Sequence, residues 1–295
     1  MSKTIVLWNS EASQAERYQP LMASLRKSPN VDVRLSGDRD SVPQLVAEAA
    51  GAGYERVVAA GGDGTVHAAV NAMLDNNFDV PLGILPLGTA NDICSTLGIP
   101  ADPEQAAQLL HSGRDRRIDL AHFATAGHSH YFCNVATGGN ADRVQEAIDE
   151  EMKQRMGAWC YLRGAISVLA DLQGYDVTLR FDHGEAWQQN VWNILVCNGR
   201  YAGGLEVAAE ASPDDGLLEV IVVLSGSPLE LASMAADFFL GNYLENERVL
   251  HTRTGKVVIH SAGPMRFSVD GEAVDVKEVT FTVRPQALTV RVPSE

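Results

Sequence analysis

Twice in the first hundred residues a short apolar run stops at glycine and a helical period takes over, at VVAAGGDGTVHAAV (57–70) and at GILPLGTAND (83–92). A strand that ends in glycines and opens straight into a helix is the repeating unit of a parallel sheet covered by helices. Few other folds accommodate it. The flanking segments keep the same alternation. TIVLWN (4–9) and VDVRLS (31–36) read as strands, and Arg56–Ala60 and PLGILP (81–86) as buried ones. Between them Val42, Leu45, Val46 and Ala49 share one helical face, with Asp40 placed to cap it and Gly51 or Gly53 to stop it. After the first glycine run, Val66, Ala69, Val70, Met73 and Leu74 line the inner face of a helix. Asp102-Pro103 opens another short one.

After about residue 122 the period changes. HYFCNVA, YDVTLRF, NVWNILVC, LLEVIVV, GKVVIH, MRFSVD, EVTFTV and ALTVRV all read as strands, and helical material is confined to about 139–173 and to PLELASMAADFFLGNYL. The 295 residues therefore divide into an α/β domain with a parallel sheet over 1–121 and a β-rich sandwich domain from 122. No Pro/Ser-rich linker separates them, so the domains abut, and ligands often occupy such a cleft. A net charge of −15 argues against nucleic-acid binding and against adhesion to anionic membranes by charge alone. The four cysteines, Cys94, Cys133, Cys160 and Cys197, have no paired spacing, which predicts reduced thiols. No apolar run reaches the length of a membrane span, and the N-terminus lacks the pattern of a signal peptide, so a cytoplasmic protein is expected. Oligomeric state is not legible.

The glycine junction suits phosphate. Gly61, Gly62 and Gly64 permit close backbone approach, the helix start offers unpaired N–H groups, and the Thr65 hydroxyl is a further donor. Asp63 beside them would hold a metal, cap the helix or orient a neighbour. The motif lacks the Gly-Lys-Ser/Thr ending of a Walker A loop and the spacing of a dinucleotide fingerprint. Taken alone it reads equally as a tight turn with Asp63 as cap. The second loop, with Gly88, Thr89, Asn91 and Asp92 on the same sheet edge, tilts the reading to a nucleotide site. Downstream, Asp270-Gly271 in FSVDGEAVDV is a hairpin signal, and SPDDGLLEV reads as a turn before a strand. His122, His128, His130 and Cys133 match no zinc spacing and read as polar hairpin residues. The stretch 150–170 reads as a helix packed on the sandwich through Met152, Met156, Trp159 and Leu162. With Lys153, Arg155 and Arg163 it is also the one candidate surface for admitting lipid.

GGDGT followed by LGILPLGTAND, then NVATGG (134–139), CNGRYAGGLEVAAEASPDDGLLEV (197–220) and FSVDGE (267–272), resembles the diacylglycerol kinase catalytic family, in particular the bacterial lipid kinases of the YegS type. The resemblance spans nearly the whole chain in order. It implies an ATP-binding α/β domain of the NAD-kinase/diacylglycerol-kinase type, a sandwich domain over 122–286 that takes the lipid, and a return of 287–295 to the first domain. It further implies transfer of the ATP γ-phosphate to a lipid hydroxyl with Mg²⁺. By position Ser36, Gly62 to Ala68 (thus Val66 and His67 too) and Thr89 line the nucleotide. Glu272 takes the proton-acceptor position with Asp270 beside it, and Asp215 becomes a Mg²⁺ ligand with the Ser212 and Leu217 backbones. Two departures stand out. Where the family continues with Asn-Glu, this chain has His67 and Ala68, and the usual N-terminal Asn-Pro-x-Ser-Gly is WNSEAS. Diacylglycerol and phosphatidylglycerol are acceptors of the expected type, reached peripherally at the membrane. The alternatives are an NAD-kinase-like small-molecule kinase and a non-catalytic lipid- or nucleotide-binding regulator.

Overall fold

A computed structural model describes residues 3–37, 41–140, 173–269 and 272–294. Asp40, Asp270, Gly271 and nearly all of the expected helix at 139–173 lie outside them. The first domain opens as β1 (Thr4–Asn9), α1 (Gln19–Lys27), β2 (Val31–Ser36), α2 (Val42–Gly51), β3 (Arg56–Gly61), α3 (Asp63–Asp75), β4 (Leu82–Pro86), α4 (Asp92–Leu97) and α5 (Pro103–Ser112). The strands lie in the order β2-β1-β3-β4 and all pair in parallel. β1, β3 and β4 are buried almost end to end, as strands covered on both faces must be. Trp8, Leu7, Leu82, Leu85 and Ile93 are wholly enclosed in this core.

Two of the helix starts have a plain local cause. Asp102 accepts from the N–H groups of Glu104 and Gln105, both at 2.9 Å, and caps α5. Helix α2 starts after Ser41, which makes no side-chain cap bond, and closes with Gly51 as its last residue. Helix α1 begins with a proline in its first turn, a start signal that sequence reading passed over.

The rest is β: β5 (Arg114–Ala124), β6 (Ser129–Phe132), β7 (Val135–Gly139), β8 (Tyr175–Phe181), β9 (Ala186–Cys197), β10 (Tyr201–Ala202), β11 (Leu205–Glu206), β12 (Leu218–Leu224), then helix α6 (Pro228–Leu240) and β13 (Val249–Thr254), β14 (Lys256–Val269) and β15 (Glu272–Val292). HYFCNVA is broken between β6 and β7. GKVVIH and MRFSVD fuse into β14 through an irregularity between His260 and Met265, and EVTFTV and ALTVRV fuse into the 21-residue β15. The first half of β14 pairs β8 and its second half pairs β7, while β9 also pairs both β8 and β7. These four strands close on themselves around a second core that holds Phe132, Phe267 and Phe281. Long strands that bend and change layers are how a sandwich makes its corners.

The parallel sheet is only part of the whole. Parallel pairing is confined to β1–β4 and one pair, Val290↔Leu82, between β15 and β4. Every other pairing in the 13-stranded sheet is antiparallel, so the sheet as a whole is predominantly antiparallel. The two regions are one hydrogen-bonded surface, joined through β15 and β5.

Candidate active site

The two glycine loops leave neighbouring strands side by side. Gly61 pairs with Pro86, and the Leu87 N–H donates to the Gly61 carbonyl at 2.9 Å. Beyond this point the loops touch backbone to backbone. A Cβ on Gly88 would lie 2.4 Å from the Gly62 Cα, and one on Gly62 would lie 3.1 Å from the Gly88 Cα. Gly61 has a different reason, since its Cβ would fall 2.3 Å from the Thr65 hydroxyl. Thr65 is buried, and its oxygen accepts from the Asn9 side chain at 3.0 Å. The segment after β1 crosses the second loop as well, with the Gln14 N–H on the Leu87 carbonyl at 3.0 Å and its side-chain amide on the Gly88 carbonyl at 3.1 Å. Three strand ends are thus stitched into one surface, with the N-terminus of α3 opening from it after Gly62.

Not every residue expected to line a nucleotide faces outward. Ser36 is fully buried, and its hydroxyl has no partner among the described residues. Val66 belongs to the core. Asn91, with φ of 51°, folds its amide back on Gly88, accepting from its N–H at 3.1 Å and donating to its carbonyl at 2.9 Å. Asp92 is buried, and its two oxygens accept the N–H groups of Gly203 and Gly204, each at 2.7 Å. It clamps the β10–β11 hairpin to the first domain. Thr89 stays exposed, 3.4 Å from the Ser13 hydroxyl, and Asp63 and Gly64 form the first turn of α3.

Glu272 opens β15, its backbone opposite Val269, which in turn pairs with Ala136 of β7. Just before β7, the Asn134 side chain accepts from the Thr96 hydroxyl of α4 at 3.2 Å, and its carbonyl accepts the Asn198 and Gly199 N–H groups. The turn end of the β14–β15 hairpin is therefore carried to the flank of α4, the helix that springs from the second glycine loop. Thr96, Asn134 and Asn198 form this polar seam. NVATGG and CNGR mark it in the sequence, although neither reveals which residues meet.

The Asp215 carboxylate, the one side chain expected to hold Mg²⁺, does not fit it. Asp215 accepts the Leu217 N–H at 2.9 Å with one oxygen, and its other oxygen is ion-paired with Arg253. The Ser212 hydroxyl donates to Asp214 at 2.7 Å, and Asp214 is held by Arg116. Magnesium needs oxygens open on one point in octahedral array, and the carboxylate oxygens of this turn point at N–H groups and guanidinium. Among the described residues no group of three or more His, Cys, Asp or Glu is placed to hold a metal. Cys133 is buried in the first core.

The histidines near Cys133 in sequence have another setting. His122, His128, His130 and His67, half of the chain's eight, line a cleft of about 720 Å³ between α3 and the β5–β6 hairpin, with Ala68 and Asp75. His67 and Ala68, one of the two departures from the family pattern, thus face this cleft. Asn71 fastens its walls, accepting the Tyr131 N–H at 2.8 Å and donating to the Tyr131 carbonyl at 2.9 Å. Burial, and then Arg284, lower the pKa of His122, which favours the neutral ring.

Residues 3–123 match the family model of the diacylglycerol kinase catalytic domain, and residues 133–292 that of the YegS C-terminal NAD kinase beta sandwich-like domain. A protein of Pseudomonas putida named "Probable lipid kinase YegS-like" is 34% identical over 294 residues, covering 99% of this chain and 96% of that one. Another of the same name from Pectobacterium atrosepticum is 33% identical over 298 residues, with 99% and 96% covered. Among solved structures, a diacylglycerol kinase from Bacillus anthracis superposes with a TM-score of 0.74 at 20% identity, covering 99% of this chain and 97% of that one. Yeast NADH kinase complexed with NADH gives 0.56 at 12% identity, over 100% and 84%. At those identities the two structures speak for the fold.

Proposed function

Because this chain belongs to the YegS-like family of lipid kinases, we propose that it transfers the γ-phosphate of ATP to the hydroxyl of a membrane lipid of the diacylglycerol or phosphatidylglycerol type. The observation that carries the reading is the Gly62–Gly88 contact, which lays two strand-end loops and the N-terminus of α3 on one surface. Such a surface presents backbone N–H groups and a positive helix end to polyphosphate. Gly61 to Thr65 and Gly88 to Thr89 hold the phosphates. Asn91 and Asp92 act at one remove, by shaping the loop and fixing the hairpin.

Phosphoryl transfer needs alignment, charge neutralisation and a proton acceptor. Magnesium carried in with the nucleotide would screen the phosphate charge, beside the loop N–H groups. Glu272 takes the proton as the lipid oxygen forms its bond to the γ-phosphorus and ADP departs with the bridging oxygen. The lipid is reached peripherally, by a protein we place in the cytoplasm; no helix of the described residues is long and apolar enough to cross a membrane.

The test is γ-labelled ATP with Mg²⁺ and a panel of lipids in mixed micelles, alongside NAD as acceptor and the Glu272→Gln variant. Label on a lipid is expected, reduced by about 10²–10⁴-fold in the variant with its melting temperature retained. Label on NAD instead would make this a small-molecule kinase, and nucleotide binding without transfer to anything a binding regulator. Full activity in Glu272→Gln would move the base elsewhere.

A further inference from the structure

The turn at Ser212–Leu217 is where a divalent cation is implied, and there the chain supplies a cation of its own. We infer that the guanidinium of Arg253 does in this protein what a bound metal would do: it ties Asp215 to the buried Glu219 and fixes the Pro213–Gly216 turn, and the turn takes no magnesium. Arg253 pairs with Asp215, and its Nε lies 2.7 Å from a Glu219 oxygen. Glu219 is only 3% exposed, and its other oxygen meets the His251 imidazole. Strand register makes this arrangement obligatory. Glu219 stands opposite Arg253, and Ile221 opposite His251, across the β12–β13 ladder. Residues 251 and 253 therefore project from the same face as Glu219.

The remainder of the turn is satisfied by the chain. Asp119 of β5 accepts the Gly216 N–H at 2.7 Å with one oxygen and the Gln286 N–H at 2.7 Å with the other, and its own N–H donates to the Pro213 carbonyl at 2.6 Å. A metal brought to Asp215 would have to displace Arg253 and remove the positive charge that faces the buried Glu219 on that side (a charge contact, not an aligned hydrogen bond), which is strongly unfavourable. It would also stand beside a fixed positive charge. A planar guanidinium reaches two carboxylates at once and sheds its weaker hydration more readily than magnesium does. The inference concerns binding and stability, so it stands or falls apart from the kinase reading.

The experiment uses the full chain without nucleotide. Bound Mn²⁺ is counted by electron paramagnetic resonance, and Tm is recorded in Mg²⁺ and in EDTA, for the wild type, Asp215→Asn and Arg253→Gln. We expect no bound Mn²⁺ in the wild type that Asp215→Asn removes, and the same wild-type Tm in Mg²⁺ and EDTA. Arg253→Gln should melt about 3–6 °C lower and regain part of that in Mg²⁺. A wild-type Mn²⁺ signal abolished by Asp215→Asn would overturn the inference. So would an unchanged Tm in Arg253→Gln, or one that Mg²⁺ leaves untouched. Should Arg253→Gln fail to fold, the wild-type and Asp215→Asn arms still decide.

Discussion

Gly62 and Gly88 approach each other so closely that side chains at either position must be paid for in loop geometry. In Gly88→Ala the new carbon would sit 2.4 Å from a backbone atom, which cannot swing aside as a flexible side chain would. The loops must part, at an overpacking cost of about 1–3 kcal/mol, and the phosphate surface opens with them. Urea denaturation should show the loss, and a fluorescent ATP analogue should bind more weakly. Gly37→Ala is the control, because its added carbon meets nothing within 4 Å; equal effects of the two would discount the contact. Asp92 shows where residue-level reading stops. A carboxylate after a glycine loop reads as ligand-facing, yet its partners lie 111 and 112 residues further on. Asp92→Asn puts an amide N–H₂ against one of the two N–H donors, which should cost about 1–3 kcal/mol. Hydrogen exchange at Gly203 and Gly204 should quicken; unchanged protection would mean that the hairpin is held by something else.

At the scale of elements, apolar period and glycine punctuation were enough for β1, β3, β4 and α3, because those segments are largely buried. They were not enough for β5, whose opening Arg114–Arg117 looks like a loop. Its charges are matched only in the folded chain, Arg116 with Asp214 and Arg117 with Asp79. The same holds for β13, where VLHTRT carries His251 and Arg253 toward a buried acid that no local pattern announces. Glu272 stands out in the sequence only through its motif, and the imidazole-lined cleft does not stand out at all, since it joins α3 to a hairpin some sixty residues away. The β12–β13 pair also carries a pH signature. The hydrogen bond to Glu219 raises the pKa of His251 above the ordinary imidazole value of 6.5, with burial opposing it. A raised folded-state value means that this stabilisation is fully present below the unfolded pKa and is lost as pH climbs through the folded one. Chemical denaturation from pH 6 to pH 9 should therefore show stability falling with rising pH, and His251→Gln should flatten that slope. An identical slope in the variant would assign it to other groups.

Over the whole molecule, the two cores are joined by strands that run through both. Ile118 and Leu120 of β5 lie in the first core, and Ala121 and Phe123 of the same strand in the second. β15 does the reverse, placing Val279 and Phe281 in the second core before Leu288, Val290 and Val292 enter the first. Where β15 passes from one to the other, its register shifts between Arg284 and Leu288, and Gln286, at φ of 49°, has its N–H held by the buried Asp119. Loss of either core would strip both shared strands of half their burial, and hydrophobic burial is the main favourable contribution to folding. The two regions should accordingly unfold together although sequence period separates them at about residue 122. Trp8 is enclosed in the first core, and Trp192 is buried on β9 in the second region. Variants retaining only one or the other tryptophan report on each region by itself. Their fluorescence transitions in urea should share one midpoint and one slope, as a single cooperative unit requires. Separated midpoints would mean that the shared strands do not couple the cores, and that the register shift at Arg284–Leu288 is a boundary between two independently stable units.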